Sequence, residues 1–109
     1  MKTLQSNFTT QEQSKRLLEL GVPEWTADCF YKLDLYSFKT EMCFTKEDSL
    51  LHHYTPCWSV GRLIEIYCLA TGIEYIKIGT SEISLIELMI KMIEIAVKVK
   101  TFDFSKLDE

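Results

Sequence analysis

The chain has no CxxC pair. Its four cysteines, Cys29, Cys43, Cys57 and Cys68, stand far apart, whereas structural zinc modules draw their ligands from closely spaced pairs. A glycine-rich loop is also missing: four glycines are spread along 109 residues, so the usual phosphate cradle has nothing to be built from. There is no basic stripe. Lys15-Arg16 is the only adjacent basic pair and the formal net charge is −4, which disfavours sequence-independent binding to nucleic acid and attraction to anionic lipid. No apolar run is long enough for a membrane span, because residues 83–99 are interrupted by Glu87, Lys91, Glu94 and Lys98. The first seven residues carry no apolar signal-peptide core. The expectation is therefore a cytoplasmic protein whose thiols are reduced and mostly buried. No motif calls for a cofactor.

What is present is ordinary globular composition, 47% hydrophobic and 26% charged, which argues against global disorder. The length suits one domain over residues 1–109, with residues 1–8 a loose N-terminal arm and residues 101–109 a C-terminal tail. A chain this short buries one core but not a core plus a deep substrate cavity, which weighs against an enzyme. The expected fold class is α+β: three to four helices packed around a minor sheet or hairpin.

Helix signals are the clearest. Thr9 or Thr10 opens a first helix through a capping box with Glu12 or Gln13, and Gly21 stops it in the left-handed conformation. Pro23 suits the first position of a second, short helix that fades near Phe30-Tyr31. Ser59 caps a third, whose apolar face takes Val60, Leu63, Ile64, Tyr67 and Cys68, and Gly72 ends it. Ser84, with Glu87 three residues on, starts a fourth that runs to about Lys100. That helix is apolar except for one polar stripe of Glu87, Lys91, Glu94 and Lys98, so it belongs in the core or in a subunit interface as well. Strand signals are weaker. Residues 35–45 suggest a short hairpin turning at Lys39-Thr40-Glu41, and residues 73–78 alternate as a strand.

Candidate chemistry gathers at residues 55–63, Thr-Pro-Cys-Trp-Ser-Val-Gly-Arg-Leu, with His52 and His53 just upstream. His52, His53 and Cys57 could approach a metal, but the spacing matches no zinc module and adjacent histidines in a strand point oppositely. Cys57 before a helix start, with His53 nearby, could form a nucleophilic pair; a small buried thiol is the plainer account. Ser59, Gly61 and Arg62 at a helix start could hold an anion; otherwise Gly61 admits a close backbone, Trp58 is core and Arg62 pairs with Glu65. The corner between the first two helices resembles half of a helix-turn-helix, although Glu24 and Asp28 would repel phosphate. Protein binding remains the best positive class. Trp25, Trp58, Tyr31, Tyr36, Tyr54 and Arg62 are residue types enriched in interaction hot spots. His52, His53, Trp58 and Arg62 are the candidate partner contacts, and no catalytic, cofactor-binding or metal-ligating residue is assigned.

The run Thr9-Thr10-Gln11-Glu12-Gln13-Ser14-Lys15-Arg16-Leu17-Leu18-Glu19-Leu20-Gly21, then Thr26-Ala27-Asp28, then Pro56-Cys57-Trp58-Ser59-Val60-Gly61-Arg62-Leu63-Ile64-Glu65, resembles a family of small uncharacterised proteins. That family occurs in gut Bacteroidetes genomes, their phages and mobile elements. Ser84-Leu85-Ile86-Glu87 with Met92-Ile93-Glu94 is similar to its terminal helix. The family often has a longer strand-rich section before that helix, reduced here to about one strand. The family carries no established activity, and the leading expectation is a non-enzymatic accessory protein of a phage or mobile element. Its partner would be an unidentified protein, or a second copy met through the last helix. A ligand-binding or catalytic domain using His53, Cys57 and Arg62, and a DNA-binding regulator using the first two helices, are the rival expectations.

Overall fold

The computed structural model describes residues 8–46, 51–74 and 84–107. Among these, three α-helices and one three-stranded antiparallel sheet make an α+β fold. In chain order they are α1 (Gln11–Leu20), β1 (Cys29–Asp34), β2 (Thr40–Cys43), β3 (His52–Cys57), α2 (Val60–Thr71) and α3 (Leu85–Lys98). Two single turns of 3-10 helix, Glu24–Thr26 and Phe104–Leu107, complete them. The expected strand at residues 73–78 lies mostly outside the described residues, as does the arm before Phe8.

The helix ends follow their caps. Thr10 and Gln13 exchange backbone and side-chain hydrogen bonds, a full capping box, and Gly21 closes α1 at φ 102°. Ser59 Oγ receives the Arg62 N–H at 3.2 Å and Ser84 Oγ the Glu87 N–H at 3.2 Å. Each supplies an acceptor that the first turn of a helix lacks.

The second helix is not there. Its region is a three-residue 3-10 turn, and the chain is already extended at Ala27. One local and one tertiary partner use up groups a continuing helix needs. Thr26 Oγ1 donates back to the Pro23 carbonyl at 2.6 Å, and the Thr26 carbonyl accepts from Arg62 Nε at 2.6 Å. Residues 29–34 become β1 instead, the central strand, flanked in the order β2-β1-β3. The hairpin is also displaced from the expected one. Thr40 and Glu41 lie in β2, and the turn occupies residues 35–39. Asp34 builds it: Oδ1 accepts from the N–H groups of Tyr36 at 2.9 Å and Ser37 at 3.4 Å, the local bonding that makes aspartate a turn former.

Two apolar clusters result. The larger joins Leu17, Trp58, Leu63 and Ile66 to one face of α3, Ile86, Met89, Ile90, Ile93 and Ala96. The fully buried side of α2 is Leu63, Ile66 and Ala70, while Val60, Ile64 and Tyr67 are half-buried at its margin, so the helix sits rotated from its expected face. Phe102 and Leu107 are buried in the same cluster, and residues 101–107 are packed rather than trailing. The smaller cluster, Cys29, Tyr31 and Cys57 with Phe8 and Met42, lines one face of the sheet.

Candidate functional site

Residues 55–63 are the joint between sheet and helices. Trp58 is completely buried. Its indole Nε1 donates to Thr26 Oγ1 at 3.0 Å and its backbone N–H to Thr9 Oγ1 at 3.0 Å. It holds the fold together and offers no surface to a partner, which corrects its place among the candidate contacts. Arg62 is half-buried; its guanidinium ties the Thr26 carbonyl to Glu65 Oε1 at 2.6 Å, and Arg62–Glu65 is the expected pair. Asp28 already stands at the start of α2, where its carboxylate accepts from Ser59 N at 2.9 Å and Ser59 Oγ at 2.5 Å. A bound anion would meet that carboxylate. Gly61 is exposed, and a Cβ placed on it would touch nothing within 4 Å, so it admits no close backbone.

His52 and His53 open β3. They face opposite sides of β3, as strand alternation requires. His52 is half-buried, with its ring edge-on to Tyr54 at 6.2 Å, and His53 is exposed opposite Leu33. His53 and Cys57 share a face but lie four residues apart, about 13 Å at the usual strand rise. Cys57 has no exposed surface. No Cys–His pair is formed. Cys57 instead sits directly across from Cys29. The hydrogen bond they share pushes the Cys29 thiol up, with burial adding to it, and pulls Cys57 down. Burial first, then the neighbouring cysteines, also pushes up the Tyr31 hydroxyl, which donates to the Thr9 carbonyl at 2.6 Å. Among the described residues, no three His, Cys, Asp or Glu side chains come together as a metal site, and no helix is long and apolar enough to cross a membrane.

The surface best suited to recognition lies elsewhere. An open groove of about 580 Å³ is lined by Glu24, Trp25, Phe30, Phe44, Thr45 and Lys46, within the size range of ligand-binding clefts. Trp25 is 49% exposed and Phe44 64% exposed. Lys46 Nζ stands 4.9 Å from the Phe30 ring centroid and 3.4 Å from Glu24 Oε2, a cation held over an aromatic face and against a carboxylate. The 3-10 turn supplies Trp25, β1 supplies Phe30, and the stretch leaving β2 supplies Phe44 and Lys46. The sequence flagged Trp25 by residue type alone. Phe44 and Lys46 join it only because β1 continues where a helix was expected.

No protein family, curated protein or solved structure matches the chain.

Proposed function

We propose that the chain is a non-enzymatic accessory protein, of the phage or mobile-element kind, that works by binding another protein through the Trp25–Phe30–Phe44 groove. The observation that carries this is the half-exposed Trp25 beside the exposed Phe44. Large aromatics left in water gain about 25 cal/mol per Å² of apolar area when a partner covers them, and tryptophan leads the residue types on which binding energy concentrates. Lys46, fixed by Glu24 and Phe30, adds a polar rim that sets orientation.

The test is affinity capture from a host lysate with Trp25→Ala and Phe44→Ala beside the unaltered chain. Loss of the captured protein in both variants, with thermal unfolding unchanged, supports the groove. Equal capture by all three sinks it.

A second reading rests on α3, where Ile95 is 59% and Val99 61% exposed beside the polar stripe. There the partner would be another copy meeting the last helix, and Ile95→Asn would then dissolve the oligomer while leaving groove binding intact.

A further inference from the structure

We infer that Cys29 and Cys57 are a latent disulfide: under thiol-oxidising conditions they join β1 to β3 through a cross-strand bond that the native register holds ready. This does not depend on the aromatic groove.

The register sets the spacing. Cys29 opens β1, Cys57 closes β3, and the two stand directly opposite each other. Pro56 lacks an N–H, so it cannot form a reciprocal hydrogen-bonded pair with its partner Phe30. Trp58, on the other side of Cys57, turns its N–H and its carbonyl to Thr9 and so away from β1. Alternation along the strand leaves Cys29 and Cys57 as a hydrogen-bonded pair, with Cα atoms about 5.5 Å apart. Disulfides span about 4.4–6.8 Å between Cα atoms, so the strands already stand at bonding distance. Opposite residues also project from the same face of the sheet, and there the two thiols hydrogen-bond each other.

The fold selects this pair from the four cysteines. Cys29 and Cys57 are fully buried in one cluster with Tyr31, Phe8 and Met42. Cys43 lies opposite Phe30, one position along β1 from Cys29, which puts it on the other face of the sheet. Cys68 belongs to α2.

The oxidant is a small-molecule disulfide such as oxidised glutathione. Either cysteine loses its proton, and its thiolate attacks one sulfur of the oxidant, forming a mixed disulfide and expelling one glutathione thiolate. The other cysteine, deprotonated in turn, attacks the protein sulfur of that mixed disulfide and expels the second glutathione. The pair gives up two electrons and two protons, and the oxidant leaves as two thiols. Because both sulfurs are buried, exchange runs before the sheet closes or while it is open. The closed sheet then shields the bond from reductants.

The experiment uses the full chain with Cys43→Ser and Cys68→Ser, equilibrated in graded mixtures of reduced and oxidised glutathione, in native buffer and in concentrated urea. Mass spectrometry reads the loss of two hydrogens and peptide mapping locates the link. The expected result is a Cys29–Cys57 bond within one chain and an unchanged circular dichroism spectrum. Its equilibrium constant should be at least about tenfold more favourable in native buffer than in urea, because a bond the fold accommodates gains from folding. Should the serine variants fail to fold, the same mapping on the unaltered chain decides, and the link should again join Cys29 to Cys57. A constant equal to or lower than that in urea overturns the inference, since the fold would then hold the sulfurs apart. Glutathione adducts without the internal link, or links to Cys43 or Cys68 in its place, overturn it as well.

Discussion

Thr9 uses its N–H, its hydroxyl and its carbonyl in buried hydrogen bonds. Its N–H donates to the Trp58 carbonyl at 2.8 Å, its hydroxyl meets Trp58 N–H and Ser14 Oγ, and its carbonyl accepts from Tyr31 and Cys57. All of this is buried. Thr9→Val keeps the shape but strands the Trp58 N–H and the Ser14 hydroxyl. An orphaned buried group costs about 1–3 kcal/mol, so urea unfolding should show a loss of about 2–4 kcal/mol. In the sequence Thr9 was only one of two cap candidates. Thr10 takes the cap, and the sequence does not reveal what the freed Thr9 then does, because Tyr31 lies 22 positions away and Cys57 and Trp58 lie 48 and 49. The thiols behave in the same way. Their separate positions suggested buried cysteines but not that Cys29 and Cys57 are cross-strand partners. A thiol reagent should modify the half-buried Cys43 and Cys68 in the native protein and reach Cys29 and Cys57 only at the rate of unfolding. Rapid native modification of Cys57 would contradict its burial.

Elements bounded by their own caps were legible. Thr10, Gly21, Ser59, Gly72 and Ser84 act within one turn of themselves, so local chemistry sets α1, α2 and the start of α3. The stretch after Pro23 escapes its local signals because distant Arg62 and Trp58 take the groups of Thr26. Two glycines test this scale with opposite signs. At Gly21, φ is 102° and a Cβ would come 3.4 Å from Phe104 Cζ. Gly21→Ala should destabilise by about 1–2 kcal/mol, the left-handed penalty. Gly61 is helical and meets nothing. Gly61→Ala should stabilise by about 0.5–1 kcal/mol by restricting the unfolded chain. Thermal unfolding of the two variants side by side reads both.

At the scale of the whole molecule, α1 and α3 are clipped together by Glu87. Its carboxylate accepts from Gln13 Nε2 at 3.0 Å and pairs with Arg16 Nη1 at 3.1 Å. Burial raises its pKa, but the Gln13 and Arg16 hydrogen bonds and the charges of Arg16 and Lys91 outweigh that and hold it below the ordinary glutamate value. The unfolded chain therefore takes up this proton first. The stabilisation is complete above about pH 4.5 and is lost as pH falls through the lower folded value. Glu87→Gln should flatten the acid limb of stability against pH, followed by circular dichroism from pH 6 to 2. An unchanged limb would mean that the clip is immaterial. The α+β class could be read from the sequence because periodicity reports which residues are apolar. Which apolar residues stay outside, Phe44 and Phe38 among them, depends on how β1 and its neighbours assemble, and periodicity carries no record of that. The contact between Thr9 and Trp58 has one more consequence, for timing. A chain emerging from the ribosome shows Thr9 first and Trp58 49 positions later, and Phe102 and Leu107 must still arrive to close the same core. Early α1 has no mate to dock against during synthesis. α1 cannot complete its packing until β3 and α3, against which it sits, have been made.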